Sequence, residues 1–141
     1  MGMKILLFTT LYPNAVQTNH GIFVEKRLLE LKKRYLIDAR IIAPVPWYPS
    51  WLSRLRKLPK YHEIPKTEVR SGIQIDHPRY LVLPGLSWRI APIFLTWSSR
   101  RIVKHVQQEF SFQLIDAHFF FPDGVAACSI ARSIGVPCLI T

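Results

Sequence analysis

The chain has 141 residues, of which 49% are hydrophobic. This length and composition predict one globular domain with a buried core and exclude a disordered protein. Lys and Arg total 19 against 9 acidic residues, so the formal net charge is +10, which favours an anionic partner: nucleic acid, a lipid head group or a phosphorylated small molecule.

The first predicted elements are a strand, a loop and a helix. The strand lies in the apolar run Lys4–Thr10, and a polar loop follows it as far as Gly21. From Gly21 to Lys33 one face is apolar and the other is charged, which predicts an amphipathic helix. Such a junction directs backbone N–H groups and the positive end of a helix dipole at one point, which suits phosphate or another anion.

The rest of the chain repeats this alternation. A strand, a helix and a strand in so short a span predict a parallel pair of strands with a right-handed crossover. Continued alternation predicts a doubly wound α/β sheet. The further elements predicted are strands at 39–43, 73–76, 112–117 and 137–141 and helices at 93–110 and 123–134.

The predicted helix at 123–134 has sequence signals at both ends. Asp123, after Pro122, suits an N-cap or first-turn acid, and Gly135 suits the left-handed position beyond the last turn. The last predicted strand stops at Thr141, yet a buried parallel strand needs cover on both faces. We therefore expect residues 1–141 to be an incomplete domain.

Several classes of protein lose support because their motifs are missing. The sequence has no dinucleotide-binding glycine fingerprint, no phosphate-cradling Gly-Lys-Ser or Gly-Lys-Thr, no Gly-x-Ser-x-Gly and no His-Glu-x-x-His or Cys-x-x-Cys. Cys128 and Cys138 lack the spacing of a zinc or redox site, which predicts a reduced cytoplasmic protein. We expect no bound metal and no transmembrane helix.

Candidate site residues lie at the predicted carboxyl ends of strands, where open α/β sheets bind ligands. They fall in the loop 12–21 and the stretch 116–124. Gly21 either lets a ligand approach the backbone or only loosens the turn. His118 lies just beyond a strand end, which favours a site over a core role. Asp116 and Asp123 need no ligand to explain them, because carboxylates suit strand ends and helix starts.

Five short motifs occur in a specific order along the chain. They are Leu11-Tyr12-Pro13, Asn19-His20-Gly21-Ile22-Phe23-Val24, Asp116-Ala117-His118, Pro122-Asp123-Gly124 and Gly135-Val136-Pro137. Together they resemble the N-terminal domain of family 4 glycosyltransferases, over essentially the whole chain. The resemblance implies that residues 1–141 form one Rossmann-like half of the two-domain GT-B architecture, a doubly wound parallel sheet cut after about the fifth strand. The C-terminal donor-binding domain is then absent.

The resemblance also implies an activity and roles for residues. In that family the N-terminal domain mainly holds the acceptor, the C-terminal domain holds the nucleotide sugar, and transfer retains the anomeric configuration without a metal or other cofactor. Gly21 matches the glycine whose backbone nears the donor diphosphate, with His20 where a second glycine is frequent. His118 matches the histidine that reaches the transferred sugar and is the candidate catalytic residue. Without the missing domain or a partner chain, we expect little or no turnover.

Aromatic and basic residues are interleaved between Val45 and Gly72. This mixture suits a membrane interface that holds anionic lipid; the alternative is an ordinary surface loop with packed aromatics and solvated charges. The candidate acceptor or membrane contacts are Trp47, Tyr48, Trp51, Arg54, Arg56 and Lys57. Because similar transferases often act on lipid-linked acceptors, we expect a cytoplasmic protein, peripheral on the inner face of the plasma membrane.

These observations predict a glycosyltransferase with a lipid-linked or polysaccharide acceptor. Two other functions stay open: a non-catalytic module that binds a membrane or a carbohydrate, and a nucleic-acid binder whose aromatics stack on bases. The cations are spread over several elements and no nucleic-acid recognition motif is present. We therefore expect no nucleic-acid partner.

Overall fold

A computed structural model describes residues 2–52, 59–83, 85 and 87–141. Short helical turns lie at Tyr61–Glu63 and Phe120–Gly124. The main elements, in chain order, are β1 (Met3–Phe8), α1 (Ile22–Arg34), β2 (Ile37–Ile42), β3 (Val45–Trp47), β4 (Thr67–Arg70), β5 (Ile73–Asp76), β6 (Arg79–Leu81), α2 (Ser87–Phe110), β7 (Leu114–Ala117), α3 (Val125–Ile134) and β8 (Cys138–Ile140).

One six-stranded sheet, in the order β4-β5-β2-β1-β7-β8, forms the centre of the fold. Every neighbouring pair is parallel except the edge pair β4–β5. The parallel strands run outward from β1 to β2 to β5, and the chain then returns to place β7 on the other side of β1. The predicted doubly wound α/β fold is therefore confirmed, although the sheet is mixed rather than wholly parallel.

The sheet is covered by helices on both faces. Successive side chains of a strand point to opposite faces, and β1 shows this clearly. Ile5 and Leu7 pack in the core under α1, with Val24 and Leu28. Leu6 and Phe8 pack on the other face, in the core formed with α2 and α3. A strand buried on both faces explains the continuous apolar run in the sequence.

The predicted helices exist, but two of them begin elsewhere. α2 begins at Ser87 rather than at residue 93, because Pro92 lies inside the helix instead of before it. The Thr96 hydroxyl donates to the Pro92 carbonyl at 2.7 Å. α3 begins at Val125, with Gly124 as its N-cap residue and no side-chain cap. The assignment of Asp123 as an N-cap is therefore wrong, and its side chain has another partner described below.

Three short strands are additional to the predicted elements. β4 and β5 form a hairpin whose turn residues Ser71 and Gly72 have φ of 52° and 74°. Such positive φ values are what a tight two-residue hairpin requires. β3 and β6 pair in parallel as a separate two-stranded sheet. At three residues each, β3 and β6 are too short to show a hydrophobic period.

No helix in the described ranges is long and apolar enough to cross a membrane. Cys128 and Cys138 are both free thiols. In the same described ranges, no three His, Cys, Asp or Glu side chains are grouped so that they could hold a metal ion.

Candidate active site

The candidate site lies where β1 and β7 end side by side. Phe8 at the end of β1 pairs with Ala117 at the end of β7. The chain leaves these two strands for opposite sides of the sheet, which opens a crevice beyond their carboxyl ends. The loop after β1 carries His20 and Gly21, and the segment after β7 carries His118. The fold thus brings together the two segments that the sequence analysis selected.

Asp123 ties these two segments to each other. Its carboxylate accepts a hydrogen bond from the Thr10 backbone N–H at 2.7 Å and another from the Thr10 hydroxyl at 3.0 Å. Asp123 is fully buried. Burial raises the pKa of Asp123 from 3.8 to about 6, against the opposing effect of hydrogen bonds from Thr10 and Thr9. The loop after β1 is therefore anchored to the segment that leads into α3.

Gly21 lets the loop after β1 fold back at the start of α1. Its φ is 68°, in the left-handed region that disfavours any residue with a Cβ atom. A Cβ atom added there would lie 2.3 Å from the Leu11 carbonyl oxygen, well inside a van der Waals contact. The His20 ring nitrogen Nε2 lies 3.2 Å from the Thr10 carbonyl oxygen and closes the same loop. The loop alone accounts for glycine at position 21, whatever ligand binds nearby.

The acidic residue in the first turn of α1 has a partner. Glu25 is buried, and its Oε1 accepts a hydrogen bond from Arg70 Nε at 2.6 Å. This bond raises the pKa of Arg70. Because Arg70 on β4 balances the charge of Glu25, the start of α1 is not left with an uncompensated negative charge.

His118 projects beside the start of α1. Its ring contacts Phe23 with a centroid distance of 5.4 Å and Phe119 with one of 4.7 Å. Nδ1 is buried and has no hydrogen-bond partner among the described residues. Burial, and secondarily the charge of Arg27, lower the pKa of His118 below 6.5, against the opposing effect of Asp116. At neutral pH the ring is therefore an uncharged hydrogen-bonding group.

An ion pair that the sequence analysis missed lies next to His118. Arg27 on α1 donates from Nη1 to Oδ2 of Asp116 at 2.9 Å, and the Thr141 hydroxyl donates to Oδ1 at 3.1 Å. The Asp116 side chain is only 4% exposed. Asp116 thus has the structural explanation expected for it, while Arg27 brings a cation to the crevice. No sequence signal links two residues 89 positions apart.

Two neighbouring cavities lie beside β3, and the first of them also borders the loop after β1. They share Pro46 and Tyr61, and the hydroxyl of Tyr12 in the first is buried without a partner in the described part of the chain. The first, of about 200 Å³, is lined by Thr10, Leu11, Tyr12, Asn14, Gln17, His20, Ala43, Pro44, Val45, Pro46, Tyr61, His77 and Tyr80. The second, of about 510 Å³, is lined by Pro46, Trp47, Tyr48, Ser50, Pro59, Tyr61, His62 and Arg79.

The predicted acceptor or membrane contacts separate into three groups. Trp47 and Tyr48 line the larger cavity, where the Tyr48 ring packs at 5.9 Å from that of Tyr61. Trp51 is 62% exposed and lines neither cavity. Three further residues, Arg54, Arg56 and Lys57, lie outside the described residues.

Comparison with known proteins agrees with the motifs. No family model matches the chain. The chain is 33% identical, over 147 aligned residues, to a Bacillus subtilis (strain 168) protein named "Putative teichuronic acid biosynthesis glycosyltransferase TuaC". The chain resembles part of a glycosyltransferase. The similarity covers 99% of the chain but 36% of that relative, so the chain spans little more than a third of the relative's length. The resemblance to a glycosyltransferase that the motifs predict is confirmed.

Proposed function

We propose that the chain supplies the acceptor-side half of a retaining glycosyltransferase that uses a nucleotide sugar. The observation that carries the proposal is the meeting of the Gly21 loop with His118 beyond β1 and β7, in a chain similar to a glycosyltransferase along 99% of its length. The donor half belongs to a further domain or to a partner chain. Without that half, the chain has an acceptor surface and little turnover.

The start of α1 is the proposed neighbour of the donor diphosphate. When the nucleoside diphosphate leaves, negative charge develops on it, and fixed N–H donors with a helix dipole stabilise that charge. Gly21 turns the loop at the start of α1 with its left-handed backbone, and the first turn of α1 lies beside the crevice because Phe23 contacts the His118 ring. The ion pair between Arg70 and Glu25 removes a nearby repulsive charge.

His118 is the proposed contact to the transferred sugar. A neutral imidazole donates one hydrogen bond and accepts another, and the His118 ring is only partly buried, so its accessible edge can bond a sugar hydroxyl. In this role His118 orients a sugar hydroxyl and does not act as a nucleophile. No residue of the described chain is assigned a metal, and the proposed reaction uses none.

The acceptor is proposed to enter the two cavities beside β3. Aromatic rings such as those of Trp47, Tyr48 and Tyr61 provide flat apolar surfaces for sugar rings, and Arg79 adds a cation. The relative is named for teichuronic acid biosynthesis. We extend this to a role in polysaccharide assembly, with a lipid-linked or polysaccharide acceptor, on the cytoplasmic face of the membrane.

The proposal can be tested by binding, without turnover. With the donor half present, we expect nucleoside diphosphates to shift the NMR amide signals of Gly21, Ile22 and Phe23, and the matching nucleosides without phosphate to leave them unchanged. His118→Ala should weaken the binding of a nucleotide sugar about fivefold, which corresponds to the loss of one neutral hydrogen bond. The binding of the nucleoside diphosphate should be unaffected. His105→Ala, at an exposed position on α2, is the matched control.

Two results would contradict the proposal. One is that no nucleoside diphosphate shifts the signals at the start of α1. The other is that His118→Ala weakens the binding of the nucleoside diphosphate and of its sugar conjugate equally. That result would mean that His118 does not contact the sugar.

A further inference from the structure

The outer face of α2 is both apolar and strongly basic. Leu95, Ser99, Val103 and Val106 are buried against the fold. On the opposite side, Ile93 and Trp97 are 65% and 74% exposed. The residues that share this side by their spacing of three or four positions are Ile93, Trp97, Arg100, Arg101 and Lys104. We call these five residues the α2 outer face.

The charges of this face are not neutralised by neighbours. α2 contains a single acidic residue, Glu109, which lies beyond Lys104 and pairs with His105 at 3.2 Å. Arg100, Arg101 and Lys104 take part in no ion pair within the described residues. Three adjacent cations without acids produce a positive potential that attracts anions.

Two depressions of opposite character meet at Trp97 and Arg100. A basic one, of about 620 Å³, is lined by Arg79, Trp97, Ser98, Arg100, Arg101 and Lys104. A largely apolar one, of about 380 Å³, is lined by Pro92, Ile93, Thr96, Trp97, Arg100, Val125 and Ser129. Nη1 of Arg79 is buried and has no hydrogen-bond partner in the described part of the chain.

We propose that the α2 outer face docks on a membrane surface that contains anionic phospholipid. The basic depression matches a phosphate head group in charge, and the apolar depression beside it matches the first part of an acyl chain. Exposed Trp next to Lys and Arg is the composition of an interfacial helix. A nucleic acid would use the cations but leave Ile93 and the apolar depression without a partner.

The inference deepens the membrane location proposed above but does not depend on glycosyl transfer. It also moves the contact away from the segment 45–52, because Trp47 and Tyr48 line the cavity assigned to the acceptor.

Vesicle binding tests the inference with matched variants. The protein is mixed with vesicles of phosphatidylcholine, alone or with phosphatidylglycerol, and sedimented. We expect binding only to the anionic vesicles, with release in 1 M salt, where electrostatic range falls to about 3 Å. Arg100→Gln with Arg101→Gln should weaken partitioning roughly 25-fold, about fivefold for each cation. Lys26→Gln with Lys33→Gln, on α1 across the sheet, removes the same charge and should have a much smaller effect.

Tryptophan variants test the depth and place of contact. Trp97→Ala should reduce partitioning roughly tenfold or more, while Trp51→Ala should leave it unchanged. Lipids brominated on the acyl chain should quench wild-type fluorescence more strongly than they quench Trp97→Ala. Circular dichroism spectra of all variants must match the wild type for the comparison to count.

Several outcomes would overturn the inference. Equal binding to neutral and anionic vesicles would remove the charge argument, and a larger loss from Trp51→Ala than from Trp97→Ala would return the contact to the segment 45–52. Binding of a short oligonucleotide through Arg100 and Arg101, without vesicle binding, would make the face a nucleic-acid site. No vesicle binding at all would mean that another chain segment or a second copy covers the face. If nucleoside diphosphates do not bind but the protein still binds anionic vesicles, only the transferase proposal is refuted.

Discussion

Replacing Asp123 by Asn should make the protein more stable at neutral pH. The pKa of this buried carboxyl is raised from 3.8 to about 6, and a shift of that size corresponds to about 3 kcal/mol. Between the two values the folded protein binds more protons than the unfolded chain. The free energy of unfolding therefore falls as the pH rises through this window, and the whole penalty is present above about pH 6.

Asn keeps the shape of Asp and cannot ionise in this range. Its side-chain carbonyl oxygen can still accept the Thr10 N–H bond, which measures 2.7 Å in the wild type. We therefore expect Asp123→Asn to exceed the wild type in free energy of unfolding by up to about 3 kcal/mol at pH 7. The difference should shrink as the pH falls through 6 and vanish near pH 4.

Urea unfolding followed by circular dichroism, in steps from pH 4 to pH 7.5, measures this difference. Asp38→Asn, which makes the same chemical change at a side chain that is 61% exposed, controls for the change in net charge. The reasoning is refuted if Asp123→Asn is less stable than the wild type at pH 7. It is also refuted if both proteins show the same dependence on pH.

Three further results are expected. Gly21→Ala should lower the free energy of unfolding by about 3 kcal/mol or more, because left-handed strain of about 1–2 kcal/mol adds to the clash with the Leu11 carbonyl oxygen. Gly72→Ala, with similar φ but nothing within 4 Å, should lower it by about 1 kcal/mol. Equal shifts in the thermal unfolding midpoint of the two variants would contradict this reasoning. The His118 ring should titrate below pH 6.5 when followed by NMR, and a midpoint at or above that value would be inconsistent with its burial. Arg27→Gln should raise that midpoint, because it removes a nearby cation; an unchanged midpoint would count against this electrostatic cause.

The sequence was sufficient for the architecture because its signals are local and repeated. The apolar run of β1, the amphipathic pattern of α1 and the β-branched pair in β2 each appear within a few residues. Gly135 was expected in the left-handed position after the last turn of α3, and it has φ of 73° there. The alternation of these elements then left few topologies to choose from.

What the sequence could not supply is the set of contacts across the site. Thr10 and Asp123, like Arg27 and Asp116, meet only because β1 and β7 become neighbours. Asp123 also carried a local signal, that of an N-cap, and the tertiary contact with Thr10 outweighed it. Ser71-Gly72, a turn-forming pair just before the alternating residues Ile73–Asp76, is the local signal in the sequence for the β4–β5 hairpin.

The link between Thr10 and Asp123 also has a consequence for biosynthesis. The two residues are 113 positions apart, and a ribosome that adds about 5–20 residues per second needs roughly 6–23 s to make the intervening chain. During that time β1 has no β7 beside it, and the loop that carries Gly21 has no anchor. The crevice beyond β1 and β7 is therefore among the last parts of this fold to form, and until then the pairing of β1 with β2 is what covers one edge of the apolar strand β1.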